Sequence, residues 1–422
     1  MAWRRMSFVT GTGQDRSQPF HLDEIHLTNI RGFRELEIDL RTPQGPRRRT
    51  LIIGKNGTCK STLLRAIALG IAGKPEANRL LGEPLGSVLA QEANAGRIRL
   101  DFGVGHVHSW GLRRRRDEEF LIDDTGPKVP TLLVSPEPDL FVCGYGAGRF
   151  GTRPDSTQQG YRVSAAVATL FRYDQALADP ELTLRRLQSL SGTQIYDRTL
   201  RGLKRALGLA EEDEIAPRPG GGVIVSGPTV GGEIPLETWA DGYRLTFSWL
   251  LDLYAWAMQA EALDEEGHIR GILLIDEIEQ HLHPSMQAEI LPRLSDLFPK
   301  MQIFATTHSP LVALDAAPEE LIVLRREGDQ VVMAPTPDYL GYSVEDMLSD
   351  PNLFDSEVYG TETREKLARY RELAAIPKEE RDADQRREIR SLAREMRAFE
   401  SLPEQENETS RVLKELMAKY DL

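Results

Sequence analysis

Between residues 21 and 40 apolar and polar positions alternate, as in "LDEIHLTNIRGFRELEIDL", and after a turn rich in Pro, Gly and Arg comes the uniformly apolar "TLIIG". A period of two predicts half-buried strands in a meander, and the short unbroken run predicts a fully buried one. Helical spacing follows from about 59 to 72, then short alternating segments in "IRLDFGVGHVHSWGLRRRRDEEFLIDD", then an apolar run ending in glycines, "LFVCGYGAGRFG". From about 161 to 210 the leucines at 182, 184, 187 and 190 and at 200, 203, 207 and 209 predict a helical lobe. A glycine-rich hairpin (216–237) leads to a long amphipathic helix beginning "DGYRLTFSWLL". A buried strand "GILLIDE", a helix over about 284–297 and the strands "QIFATTHS", "LIVLRR" and "QVVMAP" complete the series. Alternating strands and helices imply an α/β fold with a mainly parallel core sheet.

The pattern divides the chain into a flexible leader (1–20), a head (21–337) with an insertion at about 161–235, and a charged C-terminal region (338–422) of two or three helices. Composition adds exclusions. The 422 residues are 40% hydrophobic and 28% charged, with a net charge of -13, which fits a soluble globular chain and disfavours generic coating of nucleic acid. No apolar run approaches the roughly 20 residues of a membrane helix, and the N-terminus lacks the apolar segment of an export signal, so a cytoplasmic location is expected. Cys59 and Cys143 are the only cysteines, too few for a disulfide framework or a four-cysteine zinc site.

Three motifs carry candidate chemistry. "LIIGKNGTCKST" (51–62) follows the phosphate-loop pattern G-x-x-x-x-G-K-[ST], except that Cys59 replaces the second glycine. Such a loop aims backbone N–H groups at phosphates from a helix N-terminus. Lys60 would reach the β and γ phosphates and Ser61 would ligate Mg²⁺, with Gly54, Asn56, Gly57, Thr58, Cys59 and Thr62 completing the nucleotide-binding set. A cysteine before the lysine is expected to fit if its φ stays negative, and a thiol placed there is expected to be reactive. "GILLIDEIEQHLHP" ends a buried strand in Asp276 and Glu277. Asp276 suits the metal shell and Glu277 suits the base that activates water. "QIFATTHSP" ends a strand in His308, placed to sense the γ-phosphate.

In this order the three resemble the ABC-type ATPase heads of the SMC, RecF and overcoming-lysogenization-defect (OLD) group, over roughly residues 22 to 335. "LTNIRGFRELEIDL" is similar to the opening of those heads, which places Arg31 near nucleotide. "ETWADGYRLTFSWLLDL" resembles their signature region, with Ala240 at the serine position followed by Asp241 and Gly242. "GYGAGR" resembles a Q-loop in which Arg149 replaces glutamine. The resemblance implies an ABC-type P-loop head with an antiparallel β subdomain, an inserted helical lobe and C-terminal helices. It also implies ATP with Mg²⁺ as cofactors, and a homodimer or higher oligomer that sandwiches two ATP head to tail through Ala240, Asp241 and Gly242. On that reading a bulky residue at 242 would block dimerisation and leave each protomer folded. OLD nucleases continue into a nuclease domain, for which the segment after the last core strand is too short. The charged C-terminal region is instead similar to that of Septu-type and retron-associated anti-phage ATPases, which implies a separate nuclease partner of the HNH type. The alternatives are a RecF-like repair ATPase acting directly on DNA or RNA and a scaffold that holds ATP with little turnover.

Overall fold

The structure is a computed structural model and describes residues 21–43, 45–103, 106–116, 118–123, 140–149, 152–153, 160–190, 192–218, 221–356, 360–376 and 381–397. The expected leader and the terminal "ETSRVLKELMAKYDL" lie outside the described residues. The chain forms two compact units that divide after Ser356.

The first unit opens with β1 (Leu22–Ile30) and β2 (Phe33–Asp39), followed by β3 (Arg49–Ile53), which feeds α1 (Lys60–Leu81). Next come β4 (Ala95–Phe102), β5 (His106–Arg115), β6 (Glu118–Asp123) and the short β7 (Val142–Tyr145). The lobe contains α2 (Pro180–Leu190), α3 (Gly192–Ala206) and the antiparallel strands β8 (Glu214–Pro217), β9 (Val223–Gly227) and β10 (Gly232–Pro235). The long α4 (Asp241–Gln259) then leads to β11 (Arg270–Ile275), α5 (Pro284–Gln287), α6 (Ile290–Leu297), β12 (Lys300–Thr306), β13 (Leu321–Glu327) and β14 (Gln330–Ala334).

Two sheets organise this unit. One is antiparallel, in the order β2-β1-β4-β5-β6. Its strands alternate buried and accessible positions, so the polar residues face solvent. The other has the order β14-β13-β3-β12-β11-β7, parallel throughout except for the edge strand β14. Its inner strands β3, β12 and β11 are buried on both faces, which explains their unbroken apolar runs. Leu51, Ile53, Leu273, Ile275, Ile303 and Ala305 enter one core with the lobe and α4. Ile52, Ile272, Leu274 and Phe304, their neighbours along the same strands, enter a second core with α1 and the antiparallel sheet. A buried amide ties the sheets together: Gln302 on β12 accepts from the Leu22 N–H at 2.8 Å and donates to the carbonyls of Leu22 and Arg47, both at 2.9 Å.

Three boundaries differ from expectation for identifiable reasons. The first helix breaks at Gly73 (φ 69°, ψ 166°) and resumes with Pro75, so the predicted end near 72 is a kink within a longer element. The helix expected over 284–297 is two short ones, because the ring of Pro292 conflicts with the carbonyl four residues earlier. The head extends to Ser356, not 337: Tyr339, Met347, Leu353 and Phe354 are buried in its core, and a Ser343–Asp346 capping box starts another helix there. In the second unit two helices, Thr361–Ala375 and Ala383–Arg397, form a hairpin clasped by a bidentate Arg369–Glu388 pair at 2.8 and 3.0 Å.

Candidate active site

The core sheet places the three motifs side by side. β3, β12 and β11 are adjacent and parallel, so the phosphate loop after Ile53, the histidine segment after Thr306 and the carboxylates after Ile275 leave the same edge of the sheet. In open α/β sheets ligands bind outside the carboxyl ends of the strands.

In the loop, Gly54 (φ 150°) and Gly57 (φ 80°) take conformations that favour glycine. A methyl group at Gly54 would lie 2.3 Å from the Leu324 carbonyl, whereas at Gly57 it would meet open space. Thr58 is buried and its hydroxyl donates to the Lys55 carbonyl at 2.8 Å. Arg326 donates to the Gly57 carbonyl at 3.1 Å, and Lys55 pairs with Asp355. Asn56 is exposed, Ser61 half-buried and Thr62 buried. The Lys60 amine is 6% exposed and donates to the carbonyls of Gly54 (2.7 Å) and Lys55 (3.2 Å). Burial holds it below its ordinary pKa, against the opposing charges of Asp276 and Glu277. The lysine thus closes the loop on itself while Gly57 stays exposed.

Cys59 departs from expectation. Its φ is 63° and ψ 23°, a left-handed conformation immediately before α1, so the negative φ expected of a tolerated cysteine is not what the loop uses. For an L-residue this region costs roughly 1–2 kcal/mol. The sulfur packs beside Gly32, where even a methyl group would sit 3.2 Å away. Cys143 lies in β7, fully buried, with its sulfur 3.4 Å from the Tyr145 hydroxyl. Cys59→Gly should remove the left-handed penalty while losing about 0.5–1 kcal/mol to glycine's greater unfolded-state freedom. The expected result is an unfolding midpoint equal to wild type or up to roughly 2 °C higher, with phosphate release kept or modestly raised. A lowered midpoint would contradict the strain, and turnover raised by orders of magnitude would mark the natural loop as damaged.

At the end of β11, Asp276 is 5% exposed and one of its carboxylate oxygens accepts from the Thr306 hydroxyl at 2.6 Å. The Thr306 hydroxyl also accepts the Glu277 N–H at 2.8 Å. Glu277 has φ 50°, and burial, with the Asp276 and Glu279 carboxylates, raises its pKa. His308 is exposed; partial desolvation and the Lys60 charge hold its imidazole below the ordinary value. The structure thus brings Lys60, Asp276, Glu277 and His308 within electrostatic reach of one another.

The other predicted residues stand differently. Arg149 is 3% exposed and donates to the carbonyls of Asp276 (2.7 Å), Glu277 (2.9 Å) and Gly146 (3.2 Å). Burial brings its pKa down to about 10, and it braces the carboxylate turn from within. Arg31, in the left-handed region (φ 46°), is engaged with the Ser87 carbonyl at 3.0 and 2.7 Å. Ala240 and Asp241 are exposed at the start of α4. Gly242 corrects the expectation of an intact protomer with a bulky substitution. A methyl group there would lie 2.2 Å from the His281 carbonyl, so the glycine is required by packing within one chain and a larger residue would disturb the fold itself.

Several functional residues escaped sequence reasoning. Thr306 links the Asp276 carboxylate to the Glu277 main chain, and Glu279 accepts from the Thr307 hydroxyl and the His308 N–H. Tyr145 and Asp252 join β7 to α4: the Tyr145 hydroxyl donates to Asp252 at 2.9 Å and its carbonyl accepts the Asp276 N–H at 2.7 Å. Glu279 had a signal, as a third acid beside the pair; the others are ordinary strand and helix residues.

The chain is similar to several known proteins. Residues 24–119 match a family described as "AAA domain", and residues 228–315 match one described as "AAA domain, putative AbiEii toxin, Type IV TA system". The chain is 25% identical to Septu protein PtuA of Bacillus mycoides (strain KBAB4) across 90% of its own length and 51% of the relative's. It is 30% identical to "Retron Vc95 probable ATPase" of Vibrio cholerae serotype O1 biovar El Tor across 29% of this chain and 24% of the relative. The chain therefore spans about half the length of the first of these relatives and a quarter of the second. An SMC head domain from Thermotoga maritima is 15% identical, covering 75% of this chain and 99% of that one, with a TM-score of 0.42. The resemblance first read from the loop, the carboxylates and the histidine is thus accompanied by similarity to a Septu protein and a retron probable ATPase.

Proposed function

We propose that this chain binds and slowly hydrolyses ATP with Mg²⁺ and, in a nucleotide-sandwich dimer, governs a separate nuclease in anti-phage defence. The observation that carries the reading is the exit of the phosphate loop, Asp276–Glu277 and His308 from three adjacent parallel strands at one edge of the sheet. Lys60 neutralises phosphate charge, Ser61 and Asp276 are the groups that would hold Mg²⁺, Glu277 accepts the proton of the attacking water and His308 contacts the γ-phosphate side. Bound Mg²⁺ would supply charge neutralisation on the phosphates. Arg149 and Thr306 keep the carboxylate turn in place. Ala240 and Asp241 are exposed and available to a second protomer, whereas Gly242 supports the turn beneath them. The second unit, residues 357–422, is the proposed nuclease-docking element, since a charged helical hairpin exceeds what the head's finished core requires. No described helix is long and apolar enough to cross a membrane.

Phosphate release from ATP by the purified chain, with and without DNA, tests this reading. Slow magnesium-dependent release that DNA leaves unchanged supports it. DNA-stimulated release would favour a repair ATPase, and none would favour a scaffold. The dimer is tested at exposed Ala240: in a Glu277→Gln background, Ala240→Arg should prevent the ATP-dependent doubling of mass seen by light scattering. A dimer that persists would remove the cross-protomer role from this segment.

A further inference from the structure

The turn after Glu277 carries a carboxylate that the roles above leave unassigned. Glu279 is half-buried, and each of its two oxygens has its own partner. Its Oε1 accepts the backbone N–H of His308 at 2.6 Å and its Oε2 accepts the Thr307 hydroxyl at 2.7 Å. The Thr307 hydroxyl in turn accepts the Ser309 N–H at 3.0 Å. One carboxylate therefore gathers three consecutive residues at the end of β12. The rest of the neighbourhood is pinned separately: the Thr307 N–H donates to the Ile52 carbonyl at 3.1 Å and the Ile278 N–H donates to the Thr306 carbonyl at 3.0 Å. The His308 N–H is directed at Glu279, while its ring projects from an exposed residue. An exposed side chain can act reproducibly only if its backbone is fixed, and charge-assisted bonds of this length are the strong kind.

We propose that Glu279 is a positioning residue that sets the place of the His308 imidazole by holding its main chain, and so joins the carboxylate turn to the histidine segment. This rests on the reading of His308 as a phosphate-side contact. Glu279 touches no reacting atom and acts through His308. Glutamine can reproduce the arrangement, with its oxygen accepting the His308 N–H and its amide donating to the Thr307 hydroxyl. Alanine cannot.

The test is a double-mutant cycle on ATP turnover by the full chain. Glu279→Ala should lower kcat by about 10²-fold, the order expected for a misplacement near 1 Å, with KM and calorimetric ATP affinity unchanged. Glu279→Gln should stay within a few-fold of wild type. Combining Glu279→Ala with His308→Ala should be no slower than His308→Ala alone, because residues that act as a unit are not additive. Thr307→Val, which removes one of the two bonds, provides a milder variant should the alanine protein fail to fold, and should fall between wild type and His308→Ala. Additive losses in the cycle, or full turnover in Glu279→Ala or Thr307→Val beside a slow His308→Ala, would overturn the inference while leaving the ATPase reading intact. A His308→Ala protein with wild-type turnover would overturn both the role of His308 and this inference, and a wild-type chain without turnover would overturn the ATPase reading itself.

Discussion

Replacing Lys60 by Ala should abolish measurable ATP binding. The amine is buried, charged against Asp276 and Glu277, and held on the Gly54 and Lys55 carbonyls at the place where a phosphate would enter. Removing one partner of a desolvated, hydrogen-bonded charge pair costs about 2–5 kcal/mol, or roughly thirty-fold to several thousand-fold in affinity. The two carbonyls can turn to solvent, so the fold should survive, which far-UV circular dichroism would check. Equal calorimetric affinities for wild type and variant would end the phosphate-loop reading.

Glu277→Gln should give the opposite separation, with binding kept and turnover lost. The backbone of residue 277 is held on both sides, its N–H by Thr306 and its carbonyl by Arg149. An isosteric amide should therefore occupy the same place and lack only the basic oxygen. Positioned general bases contribute about 10²–10⁴-fold, and phosphate release should fall by that order while ATP affinity stays within a few-fold. Burial and neighbouring carboxylates raise the Glu277 pKa, so in the wild type turnover should rise with pH through a midpoint above that of an ordinary glutamate. Turnover in the glutamine variant near the wild-type rate would move the base to another group.

The sheet and the site edge were legible because the strands that build them are buried on both faces, and nothing but apolar residues can occupy "TLIIG" and "GILLI". Asp276 and Glu277 were legible because they interrupt such a run at its carboxyl end, and Lys60 and His308 because they stand in the short motifs that follow one. Conformation was not legible. Cysteine at 59 looks compatible with helix entry until its φ is known, and the loop imposes a left-handed turn there whatever the side chain prefers. Gly242 was recognised as necessary, but its packing role within the chain was not legible, because the His281 carbonyl that excludes a side chain comes from a segment remote in sequence. Arg149 was expected at the place of a Q-loop glutamine, and only the fold shows its guanidinium enclosed among three carbonyls. The extent of the head was underestimated because only some of the apolar positions in residues 338–356, Tyr339, Met347, Leu353 and Phe354, enter the core, whereas Leu340 is exposed.

The central strand β3 is made early and completed late. Its two neighbours in the sheet are the strands at 300–306 and 321–327, and the Leu22 main chain waits for the amide of Gln302. During synthesis at about 5–20 residues per second, both edges of that strand and the loop hung from its end stay unpaired for roughly tens of seconds. Closing such long intervals is slow, and an unpaired apolar strand is a template for wrong partners. The loop proposed to bind nucleotide is thus completed only when almost the whole head has left the ribosome, and truncated chains ending before residue 300 should be insoluble products dependent on chaperones, with no partial activity.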